Sequence, residues 1–123
     1  MFETCPCSSG KGCLACCGRL RAGAPAPTAE ALLRARYAAY ARGDATYVLS
    51  TWAPDSRPPS LDPDPARAST GLAVGSTRDT GPETAEVRFT ARCRQGAKKV
   101  RLTETSRFRL DGAGWVYVDG DLE

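Results

Sequence analysis

Histidine is absent from all 123 residues of the chain. That absence excludes a Ser-His-Asp or Cys-His nucleophile, a histidine general base and the usual histidine-containing catalytic zinc site. No apolar run approaches the roughly 20 residues that a membrane-spanning helix needs, so no segment is read as a membrane crossing. Aromatic residues make up only 7% of the chain, and the formal net charge is +3. A charge that small does not by itself argue for nucleic acid. Met1-Phe2-Glu3-Thr4 has neither a basic start nor an apolar stretch, and the expectation is a cytoplasmic protein. With 41% apolar residues, there is room for one compact domain and a small appendage.

What is plentiful is cysteine, crowded at one end. Cys5-Pro6-Cys7 is followed by eight residues and then by the adjacent pair Cys16-Cys17. Four thiols at that spacing can surround one ion. Zinc, which is tetrahedral and accepts four thiolates as a closed structural site, is the ion they suit. Such a site leaves no position for water, so the metal would be structural. Ser8-Ser9-Gly10-Lys11-Gly12 supplies a polar loop with two glycines for the chain to fold back on the ion. Cys13 interrupts the loop and leaves the choice of four ligands open on spacing alone. A disulfide framework is the competing reading. Against it stand the absence of a signal segment, a long remainder holding only Cys93, and a Cys16-Cys17 pair that bridges itself poorly.

Residues 5–18, from Cys5-Pro6-Cys7 through Ser9-Gly10-Lys11 to Cys16-Cys17-Gly18, resemble the SEC-C zinc motif named from the tail of the SecA translocation motor. Two positions depart from it: Ser8 stands where glycine is usual, and Cys13 where a larger residue is usual. The resemblance implies Cys5, Cys7, Cys16 and Cys17 as the ligands of a structural Zn2+. In the translocation motor the similar knuckle docks a protein chaperone, so the resemblance also implies contact with a protein partner here.

The remainder reads as one α+β domain. Residues 1–20 form the knuckle and 21–27 a linker, since the stretch from Gly18 to Pro27 carries two prolines and no periodicity. Thr28 is placed to cap a helix over Ala29 to Arg42, with Leu33, Tyr37 and Tyr40 at i, i+4 and i+7 and Gly43 as its stop. Asp44 can cap a shorter helix through Ser50, ending near Trp52. Five prolines between Ala53 and Arg67 predict irregular chain. Leu72, Val74 and Ser76 suggest a short strand. Val87, Phe89, Ala91 and Cys93 alternate with charged or polar residues. After a turn at Gln95-Gly96-Ala97, Val100, Leu102, Glu104, Ser106, Phe108 and Leu110 share a face. Asp111 to Gly114 turns the chain into Trp115 to Asp119. The expectation is an antiparallel meander of three or four strands with helices on one face.

Pro27-Thr28-Ala29-Glu30-Ala31-Leu32, Arg34-x-Arg36-Tyr37-x-Ala39-Tyr40, Thr51-Trp52, Ser106-Arg107-Phe108 and Trp115-x-Tyr117-Val118-Asp119-Gly120 resemble the YchJ-like family of uncharacterised bacterial proteins. That resemblance implies the cone-shaped α+β fold of the nuclear-transport-factor-2-like superfamily over residues 28–123, commonly with a pocket between helix and curved sheet. Superfamily members often pair through their sheets, which makes a homodimer an expectation. Thr103 stands where relatives commonly place histidine.

Glu104 falls by strand parity on the apolar face, where a carboxylate without a partner is costly. The helix offers Arg34, Arg36, Tyr37 and Tyr40 to satisfy it. A ligand or catalytic pocket would be lined by these residues with Trp52, Glu104 and Trp115; the alternative is a structural bond that merely locks helix to sheet. On the other sheet face the charge is basic. Residues 84–110 hold eight Lys or Arg against two Glu, a local balance of +6. If Trp115 and Tyr117 join that face, it has the charge and stacking platform of a single-strand nucleic-acid binder. If they turn inward, it is an ordinary solvated sheet. Cys93, among apolar neighbours, reads as a core thiol. The leading reading is a zinc-containing binding or adaptor module rather than an enzyme. The alternatives are a ligand or enzymatic pocket at Glu104 and an RNA-associated protein using the basic face.

Overall fold

The computed structural model describes residues 20, 23–61, 67–112 and 114–123, with the side chains of residues 67–69 excepted. The four knuckle cysteines, Cys13 and the first two residues of the expected linker lie outside the described residues.

The first helix, α1, runs Ala29–Arg42 and begins where the sequence places its cap. Thr28 is extended (φ −142°, ψ 161°), and its hydroxyl oxygen accepts the Ala31 N–H at 3.0 Å, satisfying one of the donors a helix start leaves open. Gly43 closes the helix at φ 71°. Asp44 then accepts the Tyr47 N–H at 3.1 Å and starts α2, Ala45–Ser50. Leu32, Leu33, Ala35, Tyr37, Ala38 and Ala39 of α1 are buried. Three alanines among them bring the helix axis close to the sheet.

Four antiparallel strands follow: β1 (Arg67–Gly81), β2 (Thr84–Gln95), β3 (Lys98–Asp111) and β4 (Gly114–Leu122), hydrogen-bonded in the order β1-β2-β3-β4. Gly96 and Gly112 turn the β2–β3 and β3–β4 hairpins at φ 64° and 65°, the left-handed region that glycine enters at least cost. The α+β expectation holds, with helices on one sheet face.

One strand is much longer than its sequence suggests. The short segment expected around Leu72, Val74 and Ser76 is part of the 15-residue β1. Its pairing with β2 shifts register between Ser69 and Gly71, Val74 and Ser76, and Asp79 and Gly81. Each bulge resets which side chains face the core, so simple alternation is lost from the sequence.

The hairpin register, Leu110 with Trp115 and Phe108 with Tyr117, puts both aromatics on the inner face. A bulge then decides the second half of β4: Arg107 pairs with Asp119, leaving Val118 as the extra residue, so Asp119 turns out to Arg107 while Gly120 and Leu122 return inward. The core joins Leu32, Leu33 and Tyr37 of α1 to Leu72, Val87 and Phe108 of the sheet, with Trp115 and Tyr117 packed against it. Cys93, 7% exposed, is a buried free thiol, as its neighbours predict. Among the described residues no helix is long and apolar enough to cross a membrane.

Candidate functional site

Between α1 and the inner face of the sheet lies a cleft of about 440 Å³, within the range that small-molecule sites occupy. Leu33, Arg36, Tyr37 and Tyr40 reach it from α1 and Trp52 from the segment after α2. The sheet contributes Phe89, Ala91, Arg92, Cys93, Leu102, Glu104, Ser106, Tyr117 and Leu122. Tyr40 and Leu122 stand at its rim as the exposed large apolar residues among those described.

Trp52 is positioned by backbone. Tyr117 N–H donates to the Thr51 carbonyl at 2.8 Å and Ala53 N–H to the Tyr117 carbonyl at 2.7 Å, so the chain after α2 docks beside β4 as a short parallel bridge. This sets the Trp52 and Tyr117 rings edge to face, with centroids 5.1 Å apart. Tyr117 also meets Phe108 edge-on at 5.7 Å.

Arg36 occupies the box these rings make. Its guanidinium carbon lies 4.0 Å from the Tyr117 ring centroid, 4.6 Å from Trp52 and 6.0 Å from Tyr40. One nitrogen donates to Thr51 Oγ1 at 2.5 Å and to the Val48 carbonyl at 3.4 Å. The residue is only 6% exposed. Burial pulls its pKa below the usual arginine value, against the opposing fields of Tyr40, Tyr117 and Glu104; a guanidinium nevertheless stays charged at neutral pH. A buried cation facing aromatic rings is stabilised by their quadrupoles in a setting where water competes little.

Glu104 sits on the inner face, as parity predicts. Among the described residues its carboxylate takes one side-chain hydrogen bond, from Ser106 Oγ to Oε2, and no ion pair with Arg34 or Arg36. Since no buried side-chain oxygen of the described residues lacks a partner, the other carboxylate oxygen is open to the cleft. Gly120 makes room beneath it. A Cβ at that position would stand 2.5 Å from Glu104 Oε2 and 3.1 Å from the Tyr117 hydroxyl, so any side chain there would force the carboxylate to move.

The structure brings Arg36, Tyr37, Tyr40, Trp52 and Glu104 together at the cleft. Arg34 and Trp115 are not among its lining residues. Arg34 pairs with Glu30 one turn away at 3.1 Å, and Trp115 packs against the core. Arg92, Ser106 and Tyr117 are the polar lining residues that sequence reasoning did not place. Ser106 was legible as a same-face neighbour of Glu104, whereas the face of Tyr117 follows from the register of the β3–β4 hairpin, which sequence parity alone does not give. Tyr37 is tied to the sheet from both sides, receiving the Gly71 N–H at 2.9 Å and reaching the Arg92 carbonyl at 3.5 Å.

Burial, and after it the negative charge of Glu104, pushes the Tyr117 hydroxyl up to about 12, against Arg36. Its proton is therefore held in the folded state above the ordinary tyrosine value of about 10. The resulting stabilisation is complete below that ordinary value and is lost as pH rises toward about 12. In a tyrosine titration followed by ultraviolet absorbance, Glu104→Gln should lower the Tyr117 pKa, because the second contribution disappears. An unchanged value would mean that burial acts alone.

With this geometry in view, comparison with known proteins is informative. A profile for the middle NTF2-like domain of YchJ matches residues 28–120. The chain belongs to the YchJ-like family. A UPF0225 protein of Xanthomonas oryzae pv. oryzae is 49% identical over 120 residues, covering 95% of this chain and 93% of the relative. A UPF0225 protein of Streptomyces coelicolor is 49% identical over 122 residues, covering 96% and 94%. The solution structure of a SEC-C motif containing protein from Rhodopseudomonas palustris aligns with this YchJ-like chain at a TM-score of 0.84 and 32% identity, covering 98% of each chain. The crystal structure of a SEC-C motif containing protein from Psychrobacter arcticus aligns at a TM-score of 0.79 and 24% identity, covering 95% of this chain and 81% of that one, a likeness of fold alone. The YchJ-like fold is thus an antiparallel four-stranded NTF2-like sheet with helices on one face. Among the described residues no cluster of acids or thiols is arranged to hold a metal; the knuckle cysteines lie outside them.

Proposed function

We propose that this YchJ-like chain is a non-catalytic binding module in two parts. The helix–sheet cleft takes a small ligand at Glu104, and the knuckle holds a structural zinc and contacts a protein partner. The observation that carries the first part is a carboxylate on an apolar wall with only one side-chain donor and one oxygen left to the cleft. A bond that existed only to lock helix to sheet would join Glu104 to α1, and no such bond is present among the described residues. Arg36, the nearest cation by sequence reasoning, spends its charge on rings and on Thr51 instead.

The second part rests on donor chemistry and on the SEC-C motif named for the Rhodopseudomonas relative. Cys5, Cys7, Cys16 and Cys17 offer four thiolates, a set that fits tetrahedral zinc and fills its coordination. Bound there, the ion would hold together a segment too small to keep a fold by apolar burial.

Native mass spectrometry of the chain purified without added metal tests both parts. One zinc is expected, lost on chelation, together with a small mass that survives chelation and disappears in Glu104→Gln. Absence of zinc with oxidised cysteines would refute the knuckle. A zinc-loaded chain from which Glu104→Gln removes nothing, and which no small-molecule panel stabilises thermally, would refute the cleft.

A further inference from the structure

The outer face of the sheet carries two populations of cation. Arg78, Arg88, Arg107 and Arg109 each hold a carboxylate within 3.0 Å: Glu86, Glu123, Asp119 with Asp121, and Asp55. At the β2–β3 hairpin end the arrangement is the reverse. Arg92 stands directly opposite Arg101, and Arg94 opposite Lys99. All four are exposed, and none has an acidic partner among the described residues.

Like charges facing each other across a ladder oppose strand pairing. The usual reason for exposed strand cations, protection of a free sheet edge, applies weakly here, because β2 and β3 are the two interior strands. Beside the rungs, β1 presents Gly71 and Ala73, opposite Arg92 and Thr90, and a Cβ added at Gly71 would meet nothing within 4 Å. A cationic ladder thus runs alongside a lane with almost no side chains. Thr90 and Thr103, hydrogen-bonded across the next rung at 2.9 Å, add hydroxyls.

We propose that this ladder binds the phosphate backbone of single-stranded nucleic acid without reading its sequence. What sets this face apart from an ordinary solvated sheet is the register that holds cation opposite cation with no acid between. Trp115 and Tyr117 lie on the inner face, the orientation expected of such a sheet, so no aromatic platform stacks bases. For the same reason the face lacks the aromatic or apolar anchors that a docked protein requires at its centre. A phosphate chain requires only cations, and arginine's planar fork suits phosphate oxygens. Two copies joined through this face would set ladder against ladder, which disfavours self-association here.

The test measures fluorescence anisotropy of a labelled uridine oligomer of about 12 nucleotides against the full chain, at several salt concentrations from about 50 to 200 mM. Neutralisation by four cations predicts a slope of log K on log salt of about −2.8, with micromolar or weaker affinity. Arg92→Glu combined with Arg101→Glu should weaken binding at least about tenfold and make the slope shallower by about 1.4. Arg94→Glu with Lys99→Glu should do the same. Both pairs are exposed, and circular dichroism of each variant checks that it is folded before its binding is read. Arg107→Gln, which removes a cation already neutralised by two aspartates, should change neither slope nor affinity. No binding at low salt would overturn the proposal. So would binding indifferent to both reversals, or equal binding of an oligoglutamate peptide.

Discussion

Arg36→Ala should cost the domain about 3 kcal/mol, the sum expected for a charge-assisted hydrogen bond and a desolvated cation–π contact. For a domain of this size that corresponds to a fall in Tm of about 12–24 °C, measurable by calorimetry. The loss spreads because Arg36 is a shared spacer. It touches Trp52, Tyr117 and Tyr40 and donates to Thr51 and Val48, so its removal opens the joint between α1, α2 and β4. Arg36→Lys should recover little, since an ammonium cannot lie flat between two rings. Arg36→Met restores volume without charge. Thr51 keeps its own bond to the Val48 carbonyl at 2.6 Å, so a loss of about 1 kcal/mol is expected for it. A methionine variant as damaged as the alanine one would show that charge, rather than filling, holds the joint.

Phe108→Ala should be at least as severe, about 3–5 kcal/mol by urea denaturation. Phe108 is 1% exposed and meets the Tyr117 ring edge-on, as Trp52 also does. Against a typical stability of about 5–15 kcal/mol, this would leave a marginal domain. Because the substitution also loosens Tyr117, the alkaline tyrosine titration should move down toward the ordinary value in whatever fraction remains folded. A full loss of stability with an unmoved titration would separate core packing from the cleft.

Much of this architecture was legible in the residues. Thr28, Gly43 and Asp44 announce both helices because capping is local chemistry, and the alternation through Val87–Cys93 and Val100–Leu110 fixes the inner faces of β2 and β3. Glu104 was conspicuous for the same reason: it breaks an apolar face. β1 escaped because three register shifts and a run of Gly, Ala, Ser and Thr erase alternation, and its length is imposed by pairing with β2. At the site, sequence supplied the helix side and Glu104 but left the carboxylate's partner open. Arg36 was a candidate partner for the carboxylate, yet nearby rings and Thr51 take its charge, a choice set by packing rather than spacing. The two cation populations were equally hidden: composition gave a basic sheet, but only strand register shows which arginines have an acid opposite and which face another cation.

The extra residue at Val118 makes β4 a strand of two phases. Up to Tyr117 its odd positions serve the interior; beyond Val118 the even ones do. A regular ladder that paired Val118 with Arg107 would leave the hairpin turn and the Trp115–Tyr117 half in place while turning Asp119 inward opposite Ser106, beneath Glu104, and Gly120 outward. One carboxylate would then face another where a glycine now leaves space. The cleft therefore owes its floor to a half-period slip in the backbone, as much as to any side chain that lines it.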